Sequence, residues 1–96
     1  MWYKGSTLNF AVLQNLRNKI QELDVLMLRL LGQRFELVKQ IKAVKSQAQI
    51  KIEDKDREAE LLSHYRNLAV EQGLDPKLVE ELFTIIFEAS KKEQAS

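Results

Sequence analysis

The sequence predicts an all-α fold: three helices per chain, the first very long, assembled as an intertwined homodimer. Three observations predict it. Proline occurs once and glycine three times in 96 residues, so little interrupts helix formation. Leu13, Leu16, Ile20, Leu23, Met27, Leu30, Leu37, Ile41 and Val44 step by threes and fours along one face, the spacing of a helical seam. Five polar residues, Arg34, Lys45, Glu58, Ser90 and Gln94, fall on the apolar stripes of the three predicted helices. An unpaired buried charge is strongly unfavourable, so such a residue needs a partner, a solvated pocket or a ligand. A buried ion pair or a snorkelling side chain answers for any one of them, but has to be invoked on every helix.

Each element has a local reason. Asn9 or Thr7 can cap a first helix whose apolar stripe continues to about Val44 or beyond. Some 36 helical residues would span roughly 54 Å. A compact chain of this size has a radius of gyration near ~13 Å, so half of that helix would project with its apolar seam bare. A second copy packed against it covers the seam. A helix broken at Gly32 in a monomeric bundle is the alternative. Residues 46–52 lose the period and read as a connecting loop.

Asp54 or Asp56 can cap the second helix, whose inner face carries Glu58, Leu61, Leu62, Tyr65, Leu68 and Ala69. In Gly73-Leu-Asp-Pro76, Gly73 suits the left-handed position after a helix, Asp75 the next N-cap and Pro76 the first turn. Leu78, Leu82, Phe83, Ile86 and Phe87 then lead along the third helix to Ser90 and Gln94.

Composition narrows the function. Lys and Arg number 15 against 14 Asp and Glu, for a net charge of +1, and the cations are not clustered. Neither nucleic acid nor membrane is an expected partner. There is no cysteine, which removes disulfides, thiolate chemistry and the usual zinc ligands. No signal-peptide core and no run of roughly 18 apolar residues is present, so a cytoplasmic location is expected. The lone histidine, His64, lies mid-helix beside Ser63 and Arg66 and reads as a surface residue. No metal or other cofactor is expected.

Arg34 and Lys45 are eleven residues apart, close to three helical turns, and share a face from which two cations can flank one small anion. Arg17 lies about 25 Å of helix away from Arg34 on another azimuth; it is either a solvated arginine or, in an antiparallel dimer, a visitor to the partner's site. Glu58 lies in a helix-first turn with Asp54 and Arg57, where capping and ligand binding are equal readings. Ser90 and Gln94 belong either to a fraying end or to a pocket. Together the set suits a small dicarboxylate bearing a hydroxyl and an acceptor oxygen. Fixed cations and donors without a nucleophile fit a reaction that needs only orientation and charge stabilisation, such as a unimolecular rearrangement.

The register of these residues resembles the all-helical chorismate mutases. The resemblance rests on Leu16-Arg17-Asn-Lys-Ile20, Leu23-Asp24, Leu30-Leu31-Gly-Gln-Arg34 and Lys45, then on Asp54-Lys-Asp-Arg57-Glu58, Gly73-Leu-Asp-Pro76, Leu82-Phe83-Thr-Ile-Ile86, Ser90 and Gln94. It runs from about Leu13 to Gln94, which implies a helical domain at 11–96 and leaves residues 1–10, which match nothing in the family, as an added or variable N-terminal arm. The resemblance implies that chorismate rearranges to prephenate in phenylalanine and tyrosine biosynthesis, with no cofactor and no covalent intermediate. It implies that Arg34 and the Arg17 of a partner chain bind carboxylates, and that Lys45 reaches a carboxylate and the ether oxygen. Gln94 would donate to that oxygen, Glu58 and the Asp54 N–H would hold the ring hydroxyl, and Arg57 and Ser90 would assist. Ile41 and Phe87 would be apolar walls. Three rivals stand beside this: an isochorismate pyruvate-lyase or an aminodeoxychorismate mutase on the same scaffold, and a non-catalytic helical dimerisation or regulatory module.

Overall fold

The computed structural model describes residues 2–51 and 54–96, with side chains from residue 7 onward. The chain is all-α, with helices α1 (Trp2–Ala48), α2 (Lys55–Glu71) and α3 (Pro76–Ala95) in that order. Met1 of the expected arm and Ile52 of the expected loop lie outside the described residues. The chain divides into two units, Met1–Arg34 and Phe35–Ser96.

The first unit is helical from Trp2, ahead of the caps expected at Thr7 or Asn9. Its seam residues Leu13, Leu16, Ile20, Leu23, Met27 and Leu30 are all exposed, and the helix runs through Gly32. Around Gly32 an added Cβ would meet nothing, so no close approach requires the glycine.

The second unit holds the end of α1 together with α2 and α3. The helix continues beyond Val44 to Ala48, which takes it into the start of the stretch 46–52 expected as a loop. Gln49 then takes a left-handed φ of 57°. The Gln49 N–H donates to Ser46 O at 3.4 Å and the Ile50 N–H to Lys45 O at 2.8 Å, which closes the last turn. A glutamine in this position gives no sequence signal of a helix stop, which explains why the loop was expected to begin too early.

Helices α2 and α3 form an antiparallel hairpin. Asp54 caps α2 by accepting from the Arg57 N–H at 3.0 Å. At the other end Gly73, φ 71°, donates to Val70 O at 3.1 Å and Leu74 donates to Ala69 O at 2.8 Å. Asp75 then accepts from the Lys77 N–H at 3.0 Å, with Pro76 in the first turn of α3. The hairpin packs through Tyr65 and Phe83, whose ring centroids are 4.5 Å apart, and Phe83 lies 6.1 Å from Phe87. Arg66 and Glu80 pair across the hairpin at 3.0 Å.

Assignments of faces change on each of the three helices. The inward row of α3 is Val79, Phe83, Ile86, Phe87, Ser90 and Gln94, whereas Leu78 and Leu82 are exposed. Five residues of helix turn Leu78 about 140° from Phe83, which puts it on another face. Leu68 on α2 is likewise exposed, beside buried Ala69. On α1 the inward row is Phe35, Val38, Lys42 and Lys45, with Val38 only 5% exposed. The seam residues Leu37, Ile41 and Val44 lie on the adjacent stripe and are 45–60% exposed. Lys45 therefore belongs to a row of its own beside the seam and does not interrupt it. Arg34, in the first unit, differs in the same way, being half-buried where Leu30 is exposed.

Gly73→Ala isolates the cost of the left-handed turn, since an added Cβ meets nothing within 4 Å. We expect a loss of about 1 kcal/mol, read from the urea midpoint at constant slope. An unchanged midpoint would contradict the assignment.

Candidate active site

In the second unit two polar contacts reach the end of α3, one from α1 and one from the start of α2, and they mark a polar corner there. Lys42 donates through Nζ to the main-chain oxygen of Ser96, which ties α1 to the last turn of α3. Lys91 Nζ lies 3.4 Å from Glu58 Oε1, which ties α3 to the first turn of α2.

Asp54 already accepts from the Arg57 N–H, so the capping role that competed for Glu58 is filled by another residue. The Glu58 side chain instead faces α3 and is 26% exposed. Arg57, three residues into the helix, pairs with Glu60 at 3.2 Å and is 61% exposed. On α3, Ser90 is buried and its Oγ donates to Ile86 O at 2.7 Å, a bond back along its own helix. One turn on, Gln94 is half-buried, and its Oε1 is shielded from water with no hydrogen-bond partner among the described residues. Phe87 is buried between these and the aromatic stack. Lys45 is half-buried on the inward row of α1, and Ile41 is exposed. His64 is exposed, its ring tilted 44° to that of Tyr65 at a centroid distance of 5.8 Å.

Sequence reasoning missed Lys91. It sits in the charged run Glu88-Ala-Ser-Lys-Lys-Glu93, which reads as a solvated end. Its spacing of four from Phe87 and eight from Phe83 was the available signal, because it places Lys91 on the inward face. Lys91 also pairs with Glu88 at 2.9 Å. The Lys91 ammonium, by hydrogen bond and by charge, holds the Glu88 carboxyl below its usual value. A depressed carboxylate stabilises the fold above its ordinary titration range, and that contribution is lost as pH falls through the folded value. Exposure of Glu88 to solvent keeps it small.

Arg17 and Arg34 lie in the first unit. Arg17 is exposed and Arg34 half-buried. Among the described residues no group of three or more His, Cys, Asp or Glu is placed to hold a metal ion. No helix among them is long and apolar enough to cross a membrane.

The all-helical scaffold thus keeps the Lys91–Glu58 pair and the Gln94 amide oxygen largely away from water at the end of α3. Comparison with known proteins identifies the class. Residues 16–95 match the family described as chorismate mutase type II, and the chain belongs to that family of isomerases. It is 33% identical over 79 residues to a chorismate mutase from Methanocaldococcus jannaschii, covering 82% of this chain and 80% of that protein. It is also 35% identical over 80 residues to a T-protein from Enterobacter agglomerans, covering 83% of this chain and 21% of that much longer protein.

A buried amide oxygen without a partner carries a desolvation cost. Gln94→Met removes that cost at similar volume, and we expect stability to hold or to rise by up to about 1 kcal/mol in urea denaturation. A loss of more than about 1 kcal/mol would show that the amide is bonded within the fold.

Proposed function

We propose that this chain converts chorismate to prephenate by an intramolecular Claisen rearrangement, as a step toward phenylalanine and tyrosine. The observation that carries the reading is the unpartnered Gln94 amide oxygen, desolvated one turn beyond Ser90 on the helix that also meets Glu58. Buried polar groups are nearly always satisfied, so one left bare is reserved for something absent from the free fold. The family match and the inward-facing Lys45 supply the rest of the support.

In this reading the carbon–oxygen bond of the enolpyruvyl ether breaks as a new carbon–carbon bond forms within the same molecule. No proton is transferred and no covalent intermediate arises. Negative charge grows on the ether oxygen, where Lys45 and the Gln94 amide donate. A rotation of half a turn about the last side-chain torsion exchanges Oε1 for Nε2, so the same position serves as a donor once substrate is bound. Glu58 accepts from the ring hydroxyl, and the Asp54 N–H assists it. Arg34 and Lys45 take the carboxylates, with Ser90 and Arg57 in support. Ser90 has to give up its bond to Ile86 O to donate to a carboxylate, a small rotation of one hydroxyl. Ile41 and Phe87 press the enolpyruvyl group toward the ring. Fixed dipoles that meet charge only in the transition state raise kcat and not merely binding.

The reading includes a homodimer. Leu13, Leu16, Ile20, Leu23, Met27, Leu30, Leu37, Ile41 and Val44 are between 42% and 60% exposed in the single chain. At roughly 25 cal/mol per Å² of apolar surface, a contiguous row of this kind drives association. A second copy of the seam is the complementary partner, and it delivers its Arg17 to the carboxylates.

Purified protein incubated with chorismate alone should give prephenate by NMR, with kcat lowered by about 10²–10³-fold in Lys45→Ala. Pyruvate release would instead favour the lyase, and unchanged chorismate would overturn the reading. Arg17→Ala and Lys45→Ala chains, each inactive alone, should recover activity when mixed and reassembled. No recovery despite verified subunit exchange would contradict the shared site.

A further inference from the structure

We propose that Lys91 is a positioning residue that fixes the Glu58 carboxylate for recognition of the substrate's ring hydroxyl. The inference rests on the mutase reading and extends it to a residue that neither the family match nor the resemblance assigns.

Lys91 and Glu58 are set apart from the other ion pairs by their environment. Their side chains are only 20% and 26% exposed. Among the described residues, the ion pairs that do not involve Lys91 have both side chains at least 41% exposed. A pair withdrawn from solvent is screened less and loses less to rotational freedom, so it holds geometry that a surface pair does not. Lys91 is moreover anchored from behind, because Glu88 holds the same ammonium at 2.9 Å from the preceding turn. Met by carboxylates from two sides, the ammonium is restricted in position, and Glu58 Oε1 lies 3.4 Å from it.

A carboxylate gripped through one oxygen cannot spin freely, and it keeps acceptor capacity on the other. That is what a group accepting from one particular hydroxyl requires. The position of Lys91 on the helix supports the same role. It follows Ser90 directly and precedes Gln94 by three residues, so the turn that carries it also carries two of the proposed substrate ligands. Lys91 acts through Glu58 and does not meet the reacting atoms.

The test is a double-mutant cycle on kcat and KM for chorismate, using Lys91→Met, Glu58→Gln and the double variant, with Lys91→Arg as the conservative control. Lys91→Met is expected to lower kcat/KM about tenfold, chiefly through KM. Lys91→Arg should restore most of that loss. In the Glu58→Gln background, adding Lys91→Met should change kcat/KM less than twofold. Lys91→Gln replaces Lys91→Met if the latter fails to fold by circular dichroism. Three results would overturn the proposal. A lower urea midpoint with unchanged kcat/KM would mark Lys91 as a helix–helix tie only. Additive losses in the double variant would mean that Lys91 meets the substrate itself. A wild-type protein that leaves chorismate untouched would remove the mutase reading and this assignment with it, an outcome distinct from the other two because it appears before any variant is made.

Discussion

The constraint on which the rest depends is the change from apolar to polar along the α2/α3 interface. Tyr65, Phe83 and Phe87 pack the middle of the hairpin, and then Glu58, Ser90, Lys91 and Gln94 follow within the same inward face. Aromatic contacts of this kind contribute about 0.5–1.5 kcal/mol each beyond their buried area. One desolvated amide oxygen costs about 1–3 kcal/mol. The aromatic stack thus offsets the polar corner, and the hairpin tolerates a group that its own folding does not satisfy.

The long helix answers a second demand. Two stripes run side by side on α1. One faces inward in the second unit through Phe35, Val38, Lys42 and Lys45, and the other stays bare through Leu37, Ile41 and Val44. The bare stripe has counterparts in the first unit at Leu13 to Leu30. A helix with one face committed to its own chain and another left apolar has the makings of a shared structure, and the dimer proposed above uses both. Lys45, at the border of the two stripes, is where catalysis and assembly would meet.

Much of this was legible before any coordinates. The fold class followed from the scarcity of glycine and proline, and the α2–α3 junction from Gly73, Asp75 and Pro76, because those residues act through local backbone preference. The end of α1 was not legible, since Gln49 adopts a glycine-like φ without a glycine. The second stripe of α1 was hidden because three-and-four spacing fits two neighbouring rows equally, and only packing selects which one turns inward. Lys91 was hidden by company: beside Lys92 and Glu93 it looks solvated, although its spacing from Phe87 points it into the interface. Glu58, Ser90 and Gln94, expected on the apolar stripes, do turn inward, because helical periodicity alone sets their face; Arg57 pairs with Glu60 toward solvent.

The central claim is that the seam and the catalytic corner are completed together by a second copy. Sedimentation velocity with turnover measured on the same samples tests it most directly, on the wild type and on a Leu23→Asp, Met27→Asp variant that charges the seam. The account predicts a wild-type particle of two chains that rearranges chorismate, and a variant that sediments as one chain without activity. A single wild-type chain that turns over chorismate at full rate would contradict it.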